Sequence, residues 1–313
     1  MAKKKSMTPA QRYLTYELAV EPSDLSGSTP VYRVTTMYLD IARDLSLLNR
    51  RLYRQGMDYH IKSITFMSRN TPTGSATASV VPCTWTVMNA YRRGRAAWNA
   101  ANKDAMKNVN SSIVGKWADF RIDPVNGIQS TAYLTPEDAA GNAYPAGTFD
   151  WEKAKFEHHA DDANGANIHL LGDHLQSGNN YASVGLVKSY FESRVRTRPE
   201  DPILDGDISD DYITTLMDSD EVQSRRIQNI EAFGDNPPYD HDNAVGELIM
   251  PDFHTVKTRA FSDGNCVLGS FNSFMGIVRL DVTSDATGVA ADLMKVVVEV
   301  AAGPYKGIKA VEC

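Results

Sequence analysis

The side chains whose types come closest to a reactive centre lie between residues 157 and 174. Glu157-His158-His159, Asp161-Asp162, His169 and Asp173-His174 offer nitrogen and oxygen ligands of the kind that hold zinc or manganese. Their spacing matches neither an H-E-x-x-H helix nor an H-x-H strand pair, and Asp161-Asp162-Ala163-Asn164-Gly165 reads as a polar turn. Solvated loop residues are the plainer account. The functional alternative is a β-sandwich metal hydrolase or lyase using His158, His159, His169, Asp173 and His174.

Other chemistries fail on spacing. In the acidic run that starts at Asp205, an EF-hand loop would need Gly at 210 and Glu at 216, and the chain has Asp210 and Leu216. Those carboxylates suit the N-terminus of a helix better, where they offset its dipole. There is no G-x-S-x-G nucleophile elbow and no G-x-x-x-x-G-K-[ST] phosphate loop; Gly303-Pro304-Tyr305-Lys306-Gly307 reads as a turn. Cys83, beside Pro82 and Trp85, reads as a buried, inert thiol in a strand. The three cysteines, Cys83, Cys266 and Cys313, form no C-x-x-C pair, which argues against a disulfide framework or zinc knuckle and favours a reducing compartment. No catalytic residue, resident metal or cofactor is therefore expected.

The basic residues are the remaining signal. Residues 1–120 carry 17 Lys and Arg against 8 Asp and Glu, while residues 121–313 carry 15 against 31. The formal net charge of −7 hides that division. The positive charge gathers at Lys3-Lys4-Lys5, at Arg12, at Arg50, Arg51 and Arg54, and at Arg92, Arg93 and Arg95, with Tyr53, Tyr91 and Trp98 interleaved. Arginine neutralises phosphate without reading sequence, and aromatic faces stack on unpaired bases. The same clusters also fit a solvated helix face, or ion pairs to a neighbouring copy's acidic surface.

The elements that must position these residues are mostly strands. β-branched and aromatic runs predict strands over 31–38, 58–67, 76–88, 113–122, 149–158, 275–282 and 293–302, and over part of 246–259. Helices are expected over 41–52 with Asp40 as cap and Gly56 as stop, over 89–108, over 184–194 and over 211–233. Strands and helices do not alternate regularly, so a parallel α/β sheet is not expected. The reading is all-β: an antiparallel β-sandwich of the jelly-roll kind, with long loops and two or three inserted helices. Residues 1–28 read as a basic and polar arm, and 29–313 as one domain with large insertions near 89–110 and 200–245. No apolar run is long enough to span a bilayer, and no apolar stretch follows the lysines at the start, so neither a membrane span nor a secretory signal is expected.

A lysine arm before an early strand, Asn49-Arg50-Arg51-Leu52-Tyr53-Arg54-Gln55-Gly56 leading into the 59–66 strand, a Trp- and Arg-bearing segment from Trp85 to Trp98, and closing strands at 276–282 and 293–302 occur here in one order. In that texture the chain resembles the single jelly-roll capsid proteins of small icosahedral viruses, most of all those with circular single-stranded DNA genomes. The resemblance implies a structural protein of the virion, assembled inside the host cell. It implies 60 copies, or a multiple, around a genome that is bound nonspecifically. Lys3, Lys4, Lys5 and Arg12 would match the family's interior basic arm, with the arginines at 50–54 and 92–95 contributing. A carbohydrate- or protein-binding β-sandwich module is a further alternative.

Overall fold

The structure, a computed structural model, describes residues 9–21, 23, 33–68, 73–108, 115, 117–128, 130–138, 140–144, 153–156, 166–177, 180–193, 253–284 and 291–312. Lys3, Lys4, Lys5, His158, His159, the acidic run from Asp205 and the expected 211–233 helix lie outside these residues.

Strand β1 (Tyr13–Val20) alternates strictly, with Leu14, Tyr16, Leu18 and Val20 buried, as a strand with one covered face must. It lies within the stretch read from sequence as an arm. After β2 (Val34–Asp40), helix α1 (Ile41–Asn49) starts where expected, with Asp40 Oδ1 accepting from the Arg43 N–H at 2.9 Å. It stops earlier than expected. Arg50 adopts the left-handed conformation (φ 51°) and ends the helix six residues before Gly56.

Strand β3 (Met57–Ser68) is the longest of the molecule's described strands, and β4 (Gly74–Val80) follows it. β4 ends before Pro82, because proline cannot donate to a ladder; Thr84 then caps α2 (Trp85–Ala105) by accepting from the Val87 N–H. The strand expected over 76–88 is thus a strand, a break and the first turn of a helix. Cys83 falls in the break and is exposed, which corrects the expectation of a buried thiol in a strand.

Residues 81–253 separate β4 from the next long strand among the described residues. Their described parts are α2, then β5 (Asp123–Val125), β6 (Lys155–Phe156), β7 (Ala166–Leu171), β8 (Leu175–Ser177), β9 (Asn180–Gly185) and α3 (Leu186–Glu192). The strand expected over 113–122 does not form in 117–122, and that over 149–158 is reduced to β6 among the described residues. β7 pairs in parallel with both β5 and β9, and antiparallel with β6; β8 and β9 form an antiparallel pair. These two parallel pairings were not anticipated from the element order.

The chain closes with β10 (His254–Ala260), β11 (Asn265–Leu268), β12 (Phe271–Phe274), β13 (Ile277–Ser284), β14 (Asp292–Val300) and the short β15 (Ala302–Gly303), β16 (Gly307–Ile308) and β17 (Ala310–Glu312). One sheet runs β1-β14-β3-β11, with β12 also on β3, and β17 pairing with β3 beyond the end of β14. The other runs β10-β4-β13-β2. Every pairing in both sheets is antiparallel.

One apolar core joins the two sheets. Tyr16, Phe66, Val296 and Val298 from the first meet Leu39, Ala78, Leu280 and Val282 from the second. Fully burying a Val, Leu or Phe side chain is worth roughly 1.5–3 kcal/mol, so this contiguous layer dominates the energetics of the fold. The fold is thus mostly β, with antiparallel sheets and a few helices. A second core lies within the 81–253 connection, where Tyr91, Phe120, Ile168, Leu170 and Leu186 pack against Phe274 and Met275. α2 and α3 approach closely because residue 94 is glycine: a Cβ there would stand 2.8 Å from Leu186 Cδ1.

Candidate functional site

The two arginine clusters lie forty residues apart in sequence, and the structure brings part of each to one corner. The 50–56 segment carries Arg51 and Arg54 past the N-terminal end of β3, and both are exposed. α2 brings Arg95 to the same place. The close approach depends on Gly56, whose Cβ, if present, would stand 2.9 Å from Tyr91 Cε1 and 3.2 Å from Arg95 Nη1.

The C-terminal ribbon supplies the third part. The Arg54 N–H donates to the Tyr305 hydroxyl at 3.2 Å, and the Tyr53 hydroxyl donates to Lys306 O at 2.9 Å. The Lys306 ammonium lies 5.8 Å from the centre of the Tyr53 ring and 5.3 Å from that of Tyr305, and donates to Leu52 O. Partial burial, and then the nearby Arg54, pull the Lys306 ammonium below its usual range. Arg54 and Arg95 both act on Tyr305 and on Asp119, whose carboxyl is pushed up chiefly by burial. Asp119 accepts from the Gln55 N–H at 3.0 Å and so fastens the arginine segment to the second core. Arg51, Arg54, Arg95 and Lys306 therefore form one cationic corner around Tyr53, Tyr305 and the half-buried Asp119 carboxylate.

Of the remaining predicted cations, Arg93 and Arg12 engage partners outside this corner. Arg50 is exposed at the end of α1. Arg92 is exposed on α2. Arg93 turns to α3, stacking 5.6 Å from the Tyr190 ring centre and donating to Ser193 Oγ at 3.3 Å. Arg12 precedes β1, where its carbonyl accepts from the Val300 N–H at 2.9 Å and its charge acts on Glu299 and Lys62 rather than on the corner. Arg95 also faces a carboxylate, Glu312 Oε1, at 3.7 Å.

Sequence reasoning missed Lys306 and Tyr305, which read only as part of a turn. The signal was present in Tyr-Lys flanked by Gly303-Pro304 and Gly307, a pattern that presents two side chains from a tight ribbon. It also missed Arg121, which is buried with Nη1 3.7 Å from Asp40 Oδ2.

The described members of the histidine group form a structural arrangement. His169 on β7 is buried, with Nδ1 2.6 Å from Ser183 Oγ and Nε2 3.0 Å from Asp173 O. The Gly185 N–H donates to His174 Nδ1 at 3.0 Å, and Asp173 pairs with Lys188. Protein groups thus engage both ring nitrogens of His169, and among the described residues no three His, Cys, Asp or Glu side chains converge as a metal site.

Fold and corner together define a mostly β protein of two antiparallel sheets, with a long α- and β-containing connection and a cationic corner at one end. No family model matches the chain, and no curated protein or solved structure gives a significant match.

Proposed function

We propose that this chain is a jelly-roll coat protein that assembles with copies of itself into an icosahedral shell and contacts single-stranded nucleic acid nonspecifically. The observation that carries this reading is strand order. With β11 and β12 counted as one interrupted strand, the main strands among the described residues number eight, and their sheets run first-eighth-third-sixth and fifth-fourth-seventh-second. Two four-stranded antiparallel sheets interleaved in this way fit two Greek keys folded on each other, the jelly-roll arrangement used by viral capsid domains.

The cationic corner supports the nucleic-acid half of the reading. Arg51, Arg54, Arg95 and Lys306 offer phosphate contacts without any device for reading bases, as nonspecific binding requires. The acidic remainder of the chain gives neighbouring copies a surface that such a corner can also meet. Lys3, Lys4, Lys5 and Arg12 would add to the contact with the genome.

Electron microscopy and mass measurement of the purified protein test this directly. Megadalton particles of uniform size are expected. A solution mass near the single-chain 34.5 kDa at all concentrations would refute assembly.

A further inference from the structure

Asp119 also borders an open groove of about 740 Å³ in the 81–253 connection. Its walls include Trp98 and Asn102 of α2, Trp117, Asp119, and Lys155 and Phe156 of β6. Trp117 is 49 % exposed, although large aromatic side chains are usually covered. Trp98 is held in place by Phe120, whose ring centre lies 5.8 Å away. Among the charged groups that face the groove, Arg121 is buried against Asp40 and Lys153 is paired with Asp123 at 2.7 Å, while Lys155 is exposed.

The aromatic walls, with Arg121 and Lys153 already facing carboxylates, offer a phosphate little. They suit an uncharged planar ring that carries hydrogen-bonding edges. Asp119 borders the groove and also feels the charges of Arg54 and Arg95, so a strand whose phosphates rest on those arginines would pass close to the groove. We infer that the groove takes an unpaired nucleobase of a bound single strand, stacked against Trp117. This inference rests on the nucleic-acid reading above and adds to it a site for the base. Stacking is tolerant of base identity, in keeping with nonspecific binding, yet it separates single strands from duplexes, whose bases are already stacked.

The test uses the full-length chain, with oligothymidylate, an abasic strand of equal length, duplex DNA and inorganic polyphosphate as probes, followed by fluorescence anisotropy. The unaltered protein should bind oligothymidylate more tightly than the abasic strand. Trp117→Ala should weaken oligothymidylate binding by roughly five- to a hundredfold, the range expected for one lost stacking partner. Trp117→Phe should restore most of it, and polyphosphate binding should not change. Equal affinity of the unaltered protein for the abasic strand and oligothymidylate would overturn the groove assignment, even if Trp117→Ala failed to fold. Salt-sensitive binding of polyphosphate with no preference for bases would overturn the groove alone. Absence of binding to every polyanion would overturn the nucleic-acid reading as well.

Discussion

The Tyr16 hydroxyl donates to Asp44 Oδ2 at 2.6 Å, and both side chains are fully buried. This bond fastens β1 to α1, and the Arg43 Nε–H adds a second bond to the same carboxylate at 2.9 Å. Burial pushes the Asp44 carboxyl up to about 6, against the pull of Arg43. A folded value above the unfolded one means that the protonated form stabilises the fold. That contribution is complete below the unfolded value of 3.8 and is lost as pH rises through about 6. Between about pH 5 and pH 7, Asp44→Asn should therefore lose less stability than the unaltered chain, by on the order of 1–2 kcal/mol in urea titrations. Tyr16→Phe leaves the carboxylate short of a donor and should cost about 1–3 kcal/mol at neutral pH.

His169 should give the opposite dependence. Burial lowers its pKa from the model-compound value of 6.5, so its neutral form stabilises the fold. The contribution is present above 6.5 and is lost as pH falls below that value. Protection factors of β7 amides, which allow for the intrinsic pH dependence of exchange, should fall on acidification in the unaltered protein and much less in His169→Gln. An equal response in both would show that the ring does not set this dependence.

Gly56→Ala places a methyl group against the buried Tyr91 and against Arg95. The buried ring cannot yield freely, so a loss of about 1–3 kcal/mol is expected from overpacking, read as a lower denaturation midpoint. The same variant should weaken polyanion binding, because Arg95 is displaced from the corner.

Salt dependence should distinguish corner cations from the rest. Replacing Arg51 or Arg54 by Ala should each lower the slope of log affinity against log salt for single strands by about 0.7. Arg93→Ala should leave the slope nearly unchanged and instead loosen α3, because its partners are Tyr190 and Ser193. Equal slope changes at all three positions would contradict a localised corner.

What the sequence revealed depended on how local the signal was. The strands β2, β3 and β14 and the Asp40 cap were legible, because β-branched runs and capping residues act within a few positions. β1 was hidden by its polar outward residues, Thr15 and Glu17, although its inward alternation was present. β11 and β12 are four residues each and interrupted by Asn and Ser, so they gain strand structure only by pairing along β3. The arginine clusters were visible as types. Their meeting was not, because it depends on a glycine at 56 and on a C-terminal ribbon about 250 residues away.

Arg54, Arg95 and Lys306 are held by a main-chain bond to Tyr305, a close approach at Gly56 and the left-handed conformation of Lys306 (φ 51°). A mobile basic tail must surrender conformational freedom to whatever it grips, and its affinity is reduced accordingly. Charges mounted on a packed scaffold have already made that sacrifice during folding, so an arriving anion meets a preset arrangement and the association keeps more of its electrostatic gain.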